Sequence, residues 1–184
     1  ADGELARLKN KPSYVGRYLD SVFDIVLNFM IFMAICWVSK TTFWYAFAAF
    51  FGIQLQGTLY NYYYVILRHK SVGGDSTSKI FKYKTPKALP GETQKSVTLL
   101  FRIYTIVYGL FDKIIHALDQ EAYKVKTFPN WFMSLLSIYG LGFQLLIIAV
   151  MLPLHLIEYI APFFIFFTLM IFVLIAIRKR FICE

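Results

Sequence analysis

Hydrophobic positions in this 184-residue chain fall in long blocks separated by polar stretches. Residues 1–12 are polar, and Pro12 with Ser13 gives a helix start. Residues 13–38 read as one helix, polar in its first turns and nearly all apolar from Ile25 to Val38. At 1.5 Å per residue it is roughly 39 Å long against about 30 Å of hydrocarbon, so its polar end protrudes. A link from Ser39 to Thr42 turns the chain, and residues 43–67 return across the membrane. Residues 68–95 are polar and carry Gly73, Gly74, Pro86, Pro90 and Gly91, a loop composition. Residues 131–153 and 156–177 are strong spans separated around Pro153. Between them and the loop, 96–118 is mostly apolar but holds Arg102, Asp112, Lys113 and His116, and 119–130 is polar again.

Composition changes this picture in one respect: 58% of residues are hydrophobic and 16% charged, so the single domain that the length permits belongs in a bilayer. The pattern is that of an all-α integral membrane protein, a polytopic helix bundle. Trp37, Trp44 and Tyr45 are expected at one interface, and Tyr60, Tyr62, Tyr63 and Tyr64 at the other. Cys36 and Cys183 imply neither a disulfide framework nor a metal site. The formal charge of +8 would suggest nucleic acid in a soluble protein, but here the basic residues flank spans and form no nucleic-acid motif.

Charge also decides the topology. If 96–118 lies in the interface as an amphipathic helix, 18 of the 19 Lys and Arg fall on one side, all but Lys40. If it crosses, Lys113, Lys124, Lys126 and Arg178-Lys179-Arg180 move to the opposite side. The first arrangement, with four spans and a cytoplasmic segment 68–130, is the one expected.

Candidate chemistry is concentrated at the start of the chain. Asp2, Gly3, Ala6, Arg7, Gly16, Asp20 and Asp24 spell D-G-x2-A-R-x8-G-x3-D-x3-D. Gly16, Asp20 and Asp24 recur every four residues and stack on one helix face. Asp24 is fourteen residues from Val38, about 21 Å along the axis, and so about 9 Å inside the hydrocarbon. Carboxylates at that depth need water, a cation or both, and Mg²⁺ and Mn²⁺ prefer such hard oxygen ligands. Asp2, across a loop of modest length, can face the same pocket. Gly3, Ala6 and Gly16 are small enough for close approach of a ligand, and Arg7 offers a donor fork for phosphate oxygens. Taken singly, the small residues equally serve helix packing and the arginine interfacial anchoring.

At about one in twenty per position, seven such matches arise by chance about once in 10⁹ starting points. The motif closely resembles that of the CDP-alcohol phosphotransferases. The family pattern has a further aspartate three residues before Asp2, so the chain is read as starting inside the motif, without the first helix and most of the second. The resemblance implies a six-transmembrane-helix fold, often homodimeric, of which 13–38, 43–67, 131–153 and 156–177 would be the third to sixth helices and 1–12 the end of the second with a cytoplasmic loop. It implies transfer of a phosphatidyl or other phospho-alcohol group from a CDP-alcohol, foremost CDP-diacylglycerol, to an acceptor hydroxyl, with release of CMP, in phospholipid biosynthesis. By the same carry-over, Asp2, Asp20 and Asp24 are ligands of Mg²⁺ or Mn²⁺, two ions being expected. Asp24 is also the catalytic base, and Gly3, Ala6, Arg7 and Gly16 line the CDP site. The site is expected to face the cytoplasm, in a bacterial or archaeal inner membrane.

The acceptor is not in the motif. Segment 68–127 carries eleven Lys and Arg against five Asp and Glu, a positive mouth suited to an anionic acceptor. Arg68, Lys70 and Arg102 are candidate acceptor-binding residues, and anchoring to anionic lipid is their alternative role. Arg102, Tyr104, Tyr108 and Asp112 read as one helix face, either an acceptor pocket or a wet surface. Gln54, Gln56 and Asn61 are expected to bond to neighbouring helices, and His155 and Glu158 to be solvated in an outer turn. The competing functional reading is a non-catalytic membrane transport or assembly protein on a degenerate version of the fold.

Overall fold

The structure, a computed structural model, describes residues 13–71, 85–125 and 127–182, with the side chains of 69–71 excepted. Among these residues every regular element is helical. They are α1 (Tyr14–Ser39), α2 (Phe43–Ser71), α3 (Gln94–Leu118), α4 (Asn130–Leu136), α5 (Leu141–Met151), α6 (Ile157–Thr168) and α7 (Met170–Phe181), with 3₁₀ turns at Gln120–Lys124 and Ser137–Tyr139.

By length and apolarity two stretches can cross a membrane, Tyr14–Ser39 and Ile157–Phe181; a third is added if α4 and α5 form one broken span. The continuous helix expected over 131–153 is thus in two pieces, bent by 52°. The reason is local. A 3₁₀ turn closes with the Gly140 N–H donating to Ser137 O (2.9 Å), and Gly140 itself is extended, at φ −66° and ψ 143°. The helical ladder stops there and restarts as Phe143 and Gln144 donate to Gly140 O.

The described residues group into two compact units, and α1 and α3 each contribute to both. In the first unit, which includes 13–27 and 85–110, the opening turns of α1 pack on α3. Tyr18 is buried against Phe101 and Tyr104, with ring centroids 5.7 and 5.3 Å away, and the Tyr108 hydroxyl donates to Ser21 O (2.9 Å). The contacts follow one another in the same order along both helices. The loop ahead of α3 is a built turn: Leu89-Pro90-Gly91-Glu92 closes with the Glu92 N–H donating to Leu89 O (3.0 Å), and Gly91 sits at φ +94°. Proline followed by a left-handed glycine is what a type II turn demands.

The second unit, which includes 28–71, 111–125 and 127–182, holds two apolar cores. One gathers Phe32, Ile35, Ala49, Ile53, Ile160 and Phe164 from α1, α2 and α6. The other gathers Leu59, Tyr63, Ile115, Phe132, Tyr139 and Leu174. Between them lies a polar ladder. The Gln144 amide donates to Gln56 Oε1 (3.0 Å), and the Gln56 amide donates to Thr168 Oγ1 (3.0 Å) and Phe164 O (3.2 Å). Gln56 therefore does bond to neighbouring helices. Close approach makes this possible, because a Cβ on Gly52 would lie 2.3 Å from Thr168 Oγ1.

The aromatic expectations divide. Trp37, Trp44 and Tyr45, expected at one interface, are exposed. Tyr62 and Tyr63, expected in the opposite belt, are buried instead. Their hydroxyls serve Asp119: Tyr63 donates to its carboxylate (2.6 Å) and Tyr62 to its main-chain oxygen (3.1 Å). Arg178 pairs with the same carboxylate, its Nε donating at 2.8 Å, and both charged side chains are almost wholly out of solvent. His155 and Glu158 are exposed, as expected.

Candidate functional site

The site begins with the cap of α1. Ser13 accepts from the Gly16 N–H through Oγ (2.8 Å), the usual N-cap bond. Its hydroxyl in turn donates to Glu92 Oε1 (2.6 Å), and the same oxygen accepts from the Val15 N–H (2.8 Å). The other oxygen, Oε2, accepts from the Leu89 N–H (3.3 Å). A carboxylate at a helix N-terminus is favoured by the exposed N–H groups and the helix dipole. Desolvation opposes its charge, but the hydrogen bonds from Ser13, Val15, Leu89 and Tyr14 outweigh it and hold the Glu92 carboxyl below its usual range.

From this cap α1 runs without interruption through Gly16, Asp20 and Asp24. At 100° per residue their face lies about 130° around the helix from the Tyr14, Tyr18, Ser21 and Ile25 face, which includes the contacts with α3. Gly16 and Asp20 are exposed and Asp24 is half-buried. The spacing therefore brings two carboxylates and a glycine onto one face of a continuous helix, and packing against α3 does not consume it. Two aspartates one turn apart are a donor set that fits a hard divalent cation. No cluster of three or more His, Cys, Asp or Glu occurs among the described residues. Asp2, Gly3, Ala6 and Arg7 lie outside the described residues.

The acceptor candidates fare differently. Arg68 is exposed near the end of α2, while the side chain of Lys70 lies outside the described residues. Arg102 is exposed on α3. It does not share a face with Tyr104, because two residues along a helix are about 200° apart. Tyr104 and Tyr108 stack on each other, with centroids 5.0 Å apart, and meet α1 instead. Glu92 was missed by sequence reasoning. The Pro90-Gly91 turn marks its place, but nothing in the local pattern indicates a partner 79 residues away.

Comparison with known families settles the wider question. The sequence profile of the CDP-alcohol phosphatidyltransferase family matches residues 1–174. The chain belongs to that family. CDP-alcohol phosphatidyltransferases use a CDP-alcohol donor and an alcohol acceptor and are generally metal-dependent. Together with the apolar helices, membership marks an integral membrane protein. No curated protein and no solved structure matches the chain.

Proposed function

We propose that the protein transfers a phosphatidyl or related phospho-alcohol group from a CDP-alcohol, CDP-diacylglycerol foremost, to an acceptor hydroxyl in phospholipid biosynthesis, releasing CMP. The observation that carries this reading is the open face of α1, which presents Gly16, Asp20 and Asp24 together within a family motif.

Asp20 and Asp24, joined by Asp2, would hold the Mg²⁺ or Mn²⁺ ions. When bound, such ions neutralise the charge of the diphosphate and of the departing CMP. The chain's own residues do the rest. Gly3, Ala6 and Gly16 leave room for the nucleotide beside the helix backbone, and Arg7 binds phosphate oxygens in a bidentate fashion. Asp24 accepts the proton of the acceptor hydroxyl as that oxygen attacks the β-phosphorus; the phosphoanhydride bond breaks and its electron pair leaves with CMP. Arg68, Lys70 and Arg102 draw an anionic acceptor toward the membrane surface. A site on the cytoplasmic side, a six-span fold and a homodimeric assembly complete the reading.

The test uses the full-length protein in detergent with Mg²⁺ or Mn²⁺ and CDP-diacylglycerol. Inositol phosphate, glycerol phosphate, serine, inositol, choline and an acidic phospholipid are offered as acceptors. CMP release with one of them is expected, and Asp24→Asn should abolish it while the protein stays folded. Full turnover by Asp24→Asn would remove the base assignment, and no CMP with any acceptor would remove the transferase reading.

A further inference from the structure

We propose that Glu92 is a positioning residue for the aspartate-bearing face of α1. The inference rests on the transferase reading above and adds a part to that machinery.

Its basis is the use made of both carboxylate oxygens. Oε2 is held within its own turn by the Leu89 N–H, and the turn is stiffened by Pro90 and by Gly91 at positive φ. Gln94 fastens the loop further, with its amide donating to Pro86 O (3.0 Å) and its Oε1 accepting from the Ala88 N–H (2.8 Å). Oε1 reaches out of this frame to the start of α1, taking the Ser13 hydroxyl and the Val15 N–H. Engaging the Ser13 proton turns that hydroxyl's lone pairs toward Gly16, whose N–H it accepts. One carboxylate thereby joins a rigid loop to the turn of α1 that carries the motif glycine, with Asp20 one turn further on. The ring contacts of Tyr18 with Phe101 and Tyr104 bring the helices together, but stacked and edge contacts tolerate sliding. Directed bonds at 2.6 and 2.8 Å do not, so they set the axial register of α1 in this unit. Thr93, the next residue, accepts from the Ser96 N–H at the start of α3, so Glu92 stands directly between the first turns of two helices.

The test compares wild type, Glu92→Ala and Glu92→Gln as full-length protein in detergent. Three readouts are used: amide hydrogen exchange in residues 14–17, CMP-release kinetics with a kcat and donor-KM split, and the effect of added formate. For Glu92→Ala, exchange at Val15 and Gly16 should rise about tenfold, and kcat should fall about tenfold or more, with any rise in donor KM from the loosened Gly16 turn smaller than the loss in kcat. Glu92→Gln keeps an acceptor at the same place and should recover part of both. Formate, a small carboxylate able to refill the exposed N–H groups, should restore turnover to Glu92→Ala and leave wild type unaffected. Unchanged exchange in Glu92→Ala overturns the link between loop and helix. Faster exchange with unchanged kcat, or a defect confined to donor KM, overturns the positioning role. A wild type that releases no CMP overturns the transferase reading and the positioning role with it, while the exchange data still report the link, so the two failures are distinguishable.

Discussion

Removing the Asp119 side chain tests the buried charge cluster most directly. In Asp119→Ala, Arg178 loses its Nε bond of 2.8 Å and its second contact to the same carboxylate. Tyr63, itself fully buried, loses the acceptor of its 2.6 Å bond. Arg178 is only 4% exposed, so water cannot readily replace the lost partner. Leaving a buried charge unpaired costs about 3–5 kcal/mol, and at about 2–4 °C per kcal/mol for a chain of this size the thermal midpoint should fall by roughly 6–20 °C. The assay is thermal unfolding in detergent, followed by circular dichroism. The triple variant Asp119→Leu, Arg178→Met, Tyr63→Phe removes every member of the cluster and leaves no orphan, so it should lie within about 1 kcal/mol of wild type. A single variant losing less than about 1 kcal/mol, or a triple variant as unstable as the single, would falsify the argument that the cost is an uncompensated charge.

Three further outcomes are expected. Gly52→Ala places a methyl against Thr168 Oγ1, which is committed to Gln56; it should cost about 1–3 kcal/mol in thermal unfolding, and Thr168→Ala should recover much of that loss in the double variant. Lys40, at φ 52° in the turn after α1, should gain about 1 kcal/mol when replaced by glycine, seen as a higher thermal midpoint; no gain would contradict the strain. Glu92 has its folded pKa below the ordinary 4.5, so its contribution is fully present above that value and is lost as pH falls through the folded one. The midpoint gap between wild type and Glu92→Gln should therefore shrink from about pH 7 to about pH 4, and a gap that widens would reverse the sign of the linkage.

The legible parts were those governed by local period and composition. A four-residue spacing on a strong helical pattern put Gly16, Asp20 and Asp24 on one face, and the structure keeps that helix unbroken. Gln56 was expected to seek helix partners because an amide has no alternative in an apolar span, and it finds three. What could not be read depends on pairings far apart in the chain. Tyr62 and Tyr63 look like belt residues until Asp119 supplies a buried acceptor. Arg178 looks like one of three flanking charges, yet it is buried while its neighbour Arg180 is exposed, a distinction set by a partner 59 residues earlier. The bend near Gly140 was hidden for a different reason, since the flanking residues are mostly apolar and Ser134, Ser137 and Gln144 are too few to interrupt the pattern of a span.

The long separation within the Asp119–Arg178 pair has a consequence for biosynthesis. A ribosome adding about 5–20 residues per second makes Arg178 roughly 3–12 s after Asp119. For that interval the aspartate, Tyr62 and Tyr63 exist without the arginine, and any early packing of α2 must leave a solvated gap. Helix α7 therefore completes an interior begun before it was made. A chain truncated ahead of α7 should be recognised by the cell's quality control as unfinished, even though every residue of the helix bearing Asp20 and Asp24 is already in place.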